Sequence, residues 1–224
     1  MKIINLRNDR LQTLLLSTID LFYNDMVRNM TEKFPERKDS LISNHSPFSD
    51  EYLFEAFKLK LSDFGFPRAL RGMGLTDMEN LYPNDKNTMT LRSSISRISR
   101  FLGSPNNALS MYYPDNGYIG WHHNGNAPGY NILMTYSLDG DGGFSFWDYK
   151  TKSIQTIQDK VGWSVKVGYY PNIRKEPDRV YWHMAKTKKE RISIAWVLDQ
   201  KEMWKSMIDE ISQGDYDHDD ILGQ

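Results

Sequence analysis

The hydrophobic period of this chain changes from three-and-four to two near residue 107, and that change limits the folds open to it. Downstream, "ALSMYYP", "YIGWHHN", "NILMTYSL", "GFSFWDY", "SIQTIQ", "GWSVKVGYY", "RVYWHMA" and "RISIAWVL" are short runs rich in β-branched and aromatic residues, separated by Gly, Pro, Asn or Asp. Strand side chains alternate faces, so each run has one face to bury. A succession of such runs at close spacing predicts a sandwich, barrel or jelly roll.

Upstream the pattern is helical. From about residue 7 to 31, Leu11, Leu14, Leu15, Ile19, Phe22, Met26 and Met30 recur at three- and four-residue spacing. After a polar break, "SDEYLFEAFKLKLSDFG" predicts a second helix, capped by Ser49 and closed near Gly65. Residues 72–89, with Gly72, Gly74 and Pro83, read as loop. A third helix, "LRSSISRISRFLG", stops at Gly103, and "QKEMWKSMIDEI" predicts a last one before the acidic tail "DYDHDDILGQ". The expected division is 1–91 as an N-terminal helical extension packed on the core, 92–200 as the β core, and 201–224 as C-terminal helix and tail. The fold class expected is α+β with a mainly β core.

The chain has 224 residues, enough for one substantial domain with a helical extension. It has no cysteine, so disulfides, thiolate metal sites and a Cys nucleophile are excluded. Net charge is −1, which draws the chain neither to nucleic acid nor to membrane. Arg7, Asp9 and Arg10 interrupt any signal-peptide run, and no apolar run approaches membrane length. A cytoplasmic protein is the expectation.

Of the five histidines, His45 sits in a polar loop, and His218 with Asp220 spells H-x-D inside the acidic tail, where no strand would present it. Strand alternation puts His122 and Asn124 on one face with Gly120, and His123 on the other with Trp121 and Ile119. Two ligands at i and i+2, with a third from a later strand, is the layout of a facial metal triad. His183, 61 residues after His122, can supply that third group. Arg191 opens the final strand, where its guanidinium could pair with a carboxylate, and Ser193 on the same face adds a hydroxyl. Each has a plainer reading: core histidines, a hairpin turn at Asn124-Gly125, a surface charge at Arg191.

"RISRFLGSPNNALSMYYPDNGYIGWHHN", "YSLDGDGGFSFWDY" and "GWSVKVGYY … VYWHMAKTKKERISIAWVL" together resemble the iron(II)/2-oxoglutarate-dependent dioxygenases, most of all the prolyl 4-hydroxylase-like branch, with an AlkB-related fold. The resemblance covers roughly residues 92–198. It implies a double-stranded β-helix (jelly roll) as the catalytic core, holding Fe(II), with 2-oxoglutarate and O₂ as cosubstrates. It further implies hydroxylation of a C–H bond, with release of succinate and CO₂, on a second substrate such as a protein proline. His122 and His183 would be metal ligands, Arg191 would anchor 2-oxoglutarate, and Tyr113, nine residues before His122, would assist. The second substrate itself, whether peptide, nucleotide or small molecule, is not specified by the motifs. Its pocket is expected from loops 66–90, 124–131 and 171–180.

The departure is Asn124, where that family carries Asp. An amide oxygen is a weaker, neutral donor for a hard divalent ion. Three arrangements are open: ligation through the amide oxygen, water in its place, or a site without oxygenase chemistry. Deamidation of Asn124-Gly125 is a fourth. The alternative function is a non-catalytic jelly-roll binding module, or a pseudoenzyme with an incomplete iron triad.

Overall fold

In the computed structural model, which describes residues 1–22, 34, 36–125 and 127–215, β1 (Lys2–Ile4) is followed by α1 (Asp9–Asp20). Asn8 caps α1 by accepting the Leu11 N–H at 2.9 Å, and Leu11 and Leu15 form its buried stripe. The helix expected from 7 to 31 is thus bounded at its start, and Met26 and Met30 lie outside the described residues. Next come β2 (Glu36–Arg37), α2 (Asp50–Ala56), a 3-10 turn (Leu61–Phe64), β3 (Leu70–Arg71), β4 (Met73–Gly74), α3 (Leu75–Leu81) and α4 (Lys86–Phe101).

Three expectations change here. The helix read through to residue 65 ends at Ala56, and the chain tightens so that Phe64 reaches the ring of Trp182, 5.3 Å away. Residues 72–89 are not a plain loop. The Asp77 carboxylate accepts the Gly74 N–H at 2.8 Å and Leu75 and Met78 are buried, which makes α3; Asp85, accepting from Thr88 N–H at 2.8 Å, starts α4 well before Leu91. The boundary at 91/92 therefore falls inside a helix. The first 91 residues also contribute strands, since β1 pairs with the core, β3 joins β2 to it, and β4 pairs as well.

The period-two runs become β5 (Asn107–Tyr113), β6 (Tyr118–His123), β7 (Gly129–Ser137), β8 (Gly143–Asp148), β9 (Ser153–Gln158), β10 (Gly162–Tyr170), β11 (Trp182–Lys186) and β12 (Arg191–Leu198). α5 (Lys201–Ser212) follows, and from residue 216 the acidic tail, with His218 and Asp220, lies outside the described residues. Two antiparallel sheets result, ordered β1-β10-β7-β12-β5-β4 and β2-β3-β6-β11-β8-β9. Of the eight core strands, the first, third, sixth and eighth lie in one sheet and the others in its partner. That alternation is the winding of a jelly roll, a double-stranded β-helix.

Alternation along each strand sorts the layers. Ile192, Ile194 and Trp196 of β12 join Ile132, Met134, Val165 and Val167 under α1, α4 and α5. The intervening residues Arg191, Ser193, Ala195 and Val197 face the other sheet and line a cavity. The sheet that carries β6 and β11 buries its outer face, Trp121, Trp182 and Met184, against Tyr52, Leu53 and Phe64. Each such side chain contributes about 1.5–3 kcal/mol on burial, so both outer faces are strongly committed and the inner faces are left to form a site. Among the described residues no helix is long and apolar enough to cross a membrane.

Candidate metal centre

β6 and β11 run side by side, with His122 opposite His183. The register shifts beyond them, because His122 to Ile119 is three steps on β6 and His183 to Ala185 only two on β11. The extra residue makes a bulge at Gly120–Trp121. Its amides are taken up by preceding loops: Gly120 N–H donates to Ala69 O at 2.9 Å and Trp121 N–H to Pro47 O at 3.0 Å. A Cβ at position 120 would lie 3.0 Å from Pro47 Cβ and 3.1 Å from Pro47 O, so glycine permits this approach. The bulge turns Ile119 into the same cavity as His122, which corrects the strict alternation expected from sequence.

The Gly120 carbonyl accepts from His122 Nδ1 at 2.8 Å, and the Tyr181 carbonyl from His183 Nδ1 at 3.0 Å. A carbonyl can only accept, so both rings carry their proton on Nδ1 and their lone pair on Nε2. The ring centroids are 4.2 Å apart, and His183 is stacked between Phe144 and Tyr170 at 5.4 and 4.8 Å. Burial pushes His122 down to about 4, and burial together with neighbouring His122 holds His183 well below its ordinary value. Two neutral imidazoles, each oriented by a carbonyl at Nδ1, are arranged as metal-binding histidines are.

Asn124 does two things. Its backbone carbonyl accepts from Ala127 N–H at 2.8 Å, giving the expected turn, while its side-chain Nδ2 stands 3.5 Å from His183 Nε2. His123 faces away, with Nε2 2.7 Å from Leu61 O and its ring edge-on to Trp182. Among the described residues no group of three or more His, Cys, Asp and Glu could hold a metal ion. The available donors are two imidazole nitrogens and, with its amide turned, Asn124 Oδ1. That set fits a divalent ion that accepts nitrogen and oxygen ligands, with one negative charge fewer than a carboxylate triad.

A cavity of about 400 Å³ has His122, Asn124 and His183 in one wall and Tyr113, Arg191 and Ser193 in the other. Arg191 is only 1% exposed, which removes the reading of it as a surface charge. Its Nε donates to Asp159 Oδ2 at 2.8 Å, Nη1 to Ser193 Oγ at 2.7 Å and Nη2 to Thr135 Oγ1 at 3.5 Å, and the guanidinium lies 5.5 Å from the Tyr113 ring centre. Burial pushes the Tyr113 phenol up to about 12 against the pull of Arg191, so it keeps its proton. Lys166 Nζ donates to Asp159 Oδ1 at 2.8 Å and to Ser164 Oγ at 3.2 Å. Phe66, Pro67, Leu70 and Ala127 form apolar wall from the loops expected at 66–90 and 124–131. Among the described residues, 171–180 contribute nothing to this wall; Pro171, Glu176 and Arg179 line a separate aromatic pocket of about 260 Å³.

Sequence reasoning did not find Asp159, Lys166, Thr135 or Tyr170. The signal was present in "GWSVKVGYY", whose alternation sets Ser164, Lys166 and Tyr170 on one face. A polar strand face ordinarily means solvent, and here it points between the sheets.

No family model matches the chain, and no curated protein matches it. Among solved structures it is similar to a prolyl-4-hydroxylase of Pseudomonas putida, at 13% identity and TM-score 0.30, covering 84% of this chain and 99% of that one. It is also similar to a rice dioxygenase for auxin oxidation, at 13% identity and TM-score 0.35, covering 87% and 71%. A third is a viral collagen prolyl hydroxylase from Paramecium Bursaria Chlorella virus-1 in complex with 2OG, at 15% identity and TM-score 0.32, covering 76% and 98%.

Proposed function

We propose that this protein is an Fe(II)- and 2-oxoglutarate-dependent oxygenase that hydroxylates a C–H bond of a second substrate, with release of succinate and CO₂. The observation that carries this reading is the convergence of His122, Asn124, His183 and Arg191 on one cavity. His122 and His183 would hold the metal through Nε2, with Asn124 Oδ1 or a water as the third donor. When bound, the metal would let O₂ act as the oxidant, with 2-oxoglutarate giving up two electrons and CO₂, so that one oxygen atom of O₂ goes into succinate and the other into the substrate C–H bond.

The chain's own residues bind, orient and shield. Arg191 presents a fixed positive charge to the distal carboxylate of 2-oxoglutarate, with the Tyr113 and Ser193 hydroxyls beside it. Phe144 and Tyr170 sandwich His183 and keep water from its faces. The apolar wall at Phe66, Pro67 and Leu70 suits an apolar side chain, such as a proline of a protein substrate.

Metal content and 2-oxoglutarate-dependent succinate formation by the Fe(II)-reconstituted protein test this. Both are expected, and protein that binds neither metal nor 2-oxoglutarate overturns the reading. The missing carboxylate at position 124 favours a second one, a jelly-roll module that holds a dicarboxylate without oxidising it. Binding without succinate formation would select that alternative.

A further inference from the structure

Three charged side chains are sealed together at Arg191, which lines the cavity, with Asp159 and Lys166 behind it. The side chains of Lys166 and Asp159 are 0% exposed and that of Arg191 is 2%. Charges removed from water are stable only when paired and hydrogen-bonded, and here two cations share one carboxylate, one oxygen each at 2.8 Å. Asp159 is itself anchored, its N–H donating to Gly142 O at 2.9 Å. A Cβ at position 142 would lie 2.7 Å from Asp159 Oδ2, so the glycine leaves room for this carboxylate. Burial disfavours the charged carboxyl, yet Arg191 and Lys166 outweigh it and hold Asp159 below its usual range.

An Asp159–Arg191 pair alone is electrically neutral. It would offer an entering anion hydrogen bonds and little net attraction. Lys166 restores one positive charge. Among the described residues, Asp159, Ser193 and Thr135 take three of the five N–H donors of Arg191, which leaves two, the number a single carboxylate accepts from one guanidinium. We propose that Lys166 and Asp159 set the cosubstrate pocket at one net positive charge, so that it takes a single distal carboxylate, with Asp159 the positioning residue that fixes the Arg191 guanidinium. This rests on the proposed binding of 2-oxoglutarate at Arg191.

Calorimetric titration of 2-oxoglutarate into the Zn(II)-loaded protein, which is redox-inert, reads the pocket without turnover. Lys166→Met should weaken binding about tenfold or more, since it leaves a neutral pair. The double variant Lys166→Met/Asp159→Asn should recover affinity to within about threefold of wild type, because Arg191 is then the unbalanced charge and the amide oxygen introduced at position 159 still accepts from its Nε. Wild-type affinity in Lys166→Met, or a double variant no tighter than the single, overturns the charge assignment and leaves the oxygenase reading intact. Wild-type protein that takes up Zn(II) but not 2-oxoglutarate overturns both. Where Lys166→Met does not fold, the wild type decides against 2-oxoglutaramate, whose distal amide is neutral. A loss of about tenfold or more relative to 2-oxoglutarate supports the assignment, and equal affinity overturns it.

Discussion

Asn124 Nδ2 stands 3.5 Å from His183 Nε2, so the amide faces the nitrogen that a metal would occupy. At that separation the contact is weak, and turning the amide about its last bond brings Oδ1 to the same place. A carboxylate there has the same reach and adds a full negative charge. Asn124→Asp is therefore expected to raise affinity for Zn(II) and Fe(II) by about tenfold or more, since ligand charge count tunes such sites. Competition titration against a chelating dye measures it. An unchanged constant means that position 124 serves the turn alone.

The two walls of the cavity should separate by mutation. His183→Ala removes one of two imidazole donors and should abolish stoichiometric metal binding. Arg191→Ala leaves Asp159 with Lys166, a neutral pair, and should keep the metal while weakening 2-oxoglutarate on the order of a hundredfold. Metal analysis and ligand titration on both variants, with circular dichroism to establish folding, give the two readouts. If both variants bind both ligands equally, the roles assigned to His183 and Arg191 are wrong.

The β core and the histidine pair were legible because they rest on local rules. Period two located the strands, and i, i+2 spacing joined His122 to Asn124. Ile119 was misassigned because a bulge at Gly120–Trp121 changes the phase of alternation, and that bulge is set by Pro47 and Ala69 from distant loops. Lys166 on β10 was missed for a related reason, whereas Asp159 lies in the connection between β9 and β10, outside any period-two run. The buried face of a strand is known only when its sheet is closed by another, and a buried lysine is rare enough that a polar face reads as solvent. α3 escaped because its cap is an Asp77 carboxylate reaching back to a glycine amide, inside a stretch otherwise composed like a loop.

The segment that carries Arg37, Phe66, Pro67 and Leu70 to the cavity is pinned by Asp39. Its carboxylate accepts from Tyr52 Oη, from Arg68 Nε at 2.8 Å and from Leu41 N–H at 2.8 Å. Burial raises its pKa, but these hydrogen bonds and the Arg68 charge prevail and hold it below the ordinary value. With the folded value depressed, the unfolded chain binds more protons across that window, so this contribution is full above the unfolded pKa and is lost as pH falls through the folded one. Thermal melts from about pH 7 to about pH 3 should show a smaller acid loss in Asp39→Asn than in wild type. Parallel pH profiles would remove Asp39 as the pin.

Gly120 joins the fold to the site through one carbonyl. Its lack of a side chain admits Pro47 and Ala69, the resulting bulge aims His122 inward, and its carbonyl then fixes the His122 tautomer at 2.8 Å. Gly120→Ala brings a methyl to 3.0 Å from Pro47 Cβ and 3.1 Å from Pro47 O, against backbone that cannot rotate away as a flexible side chain would. The expected cost is about 1–3 kcal/mol of stability, the range for overpacking a filled interior. Because the same shift moves the carbonyl that orients a ligand, metal affinity should fall as well, by about ten- to a hundredfold. Denaturant unfolding and metal titration read the two effects separately. A variant that loses stability but binds metal as the wild type does would show that His122 is oriented by something other than this bulge.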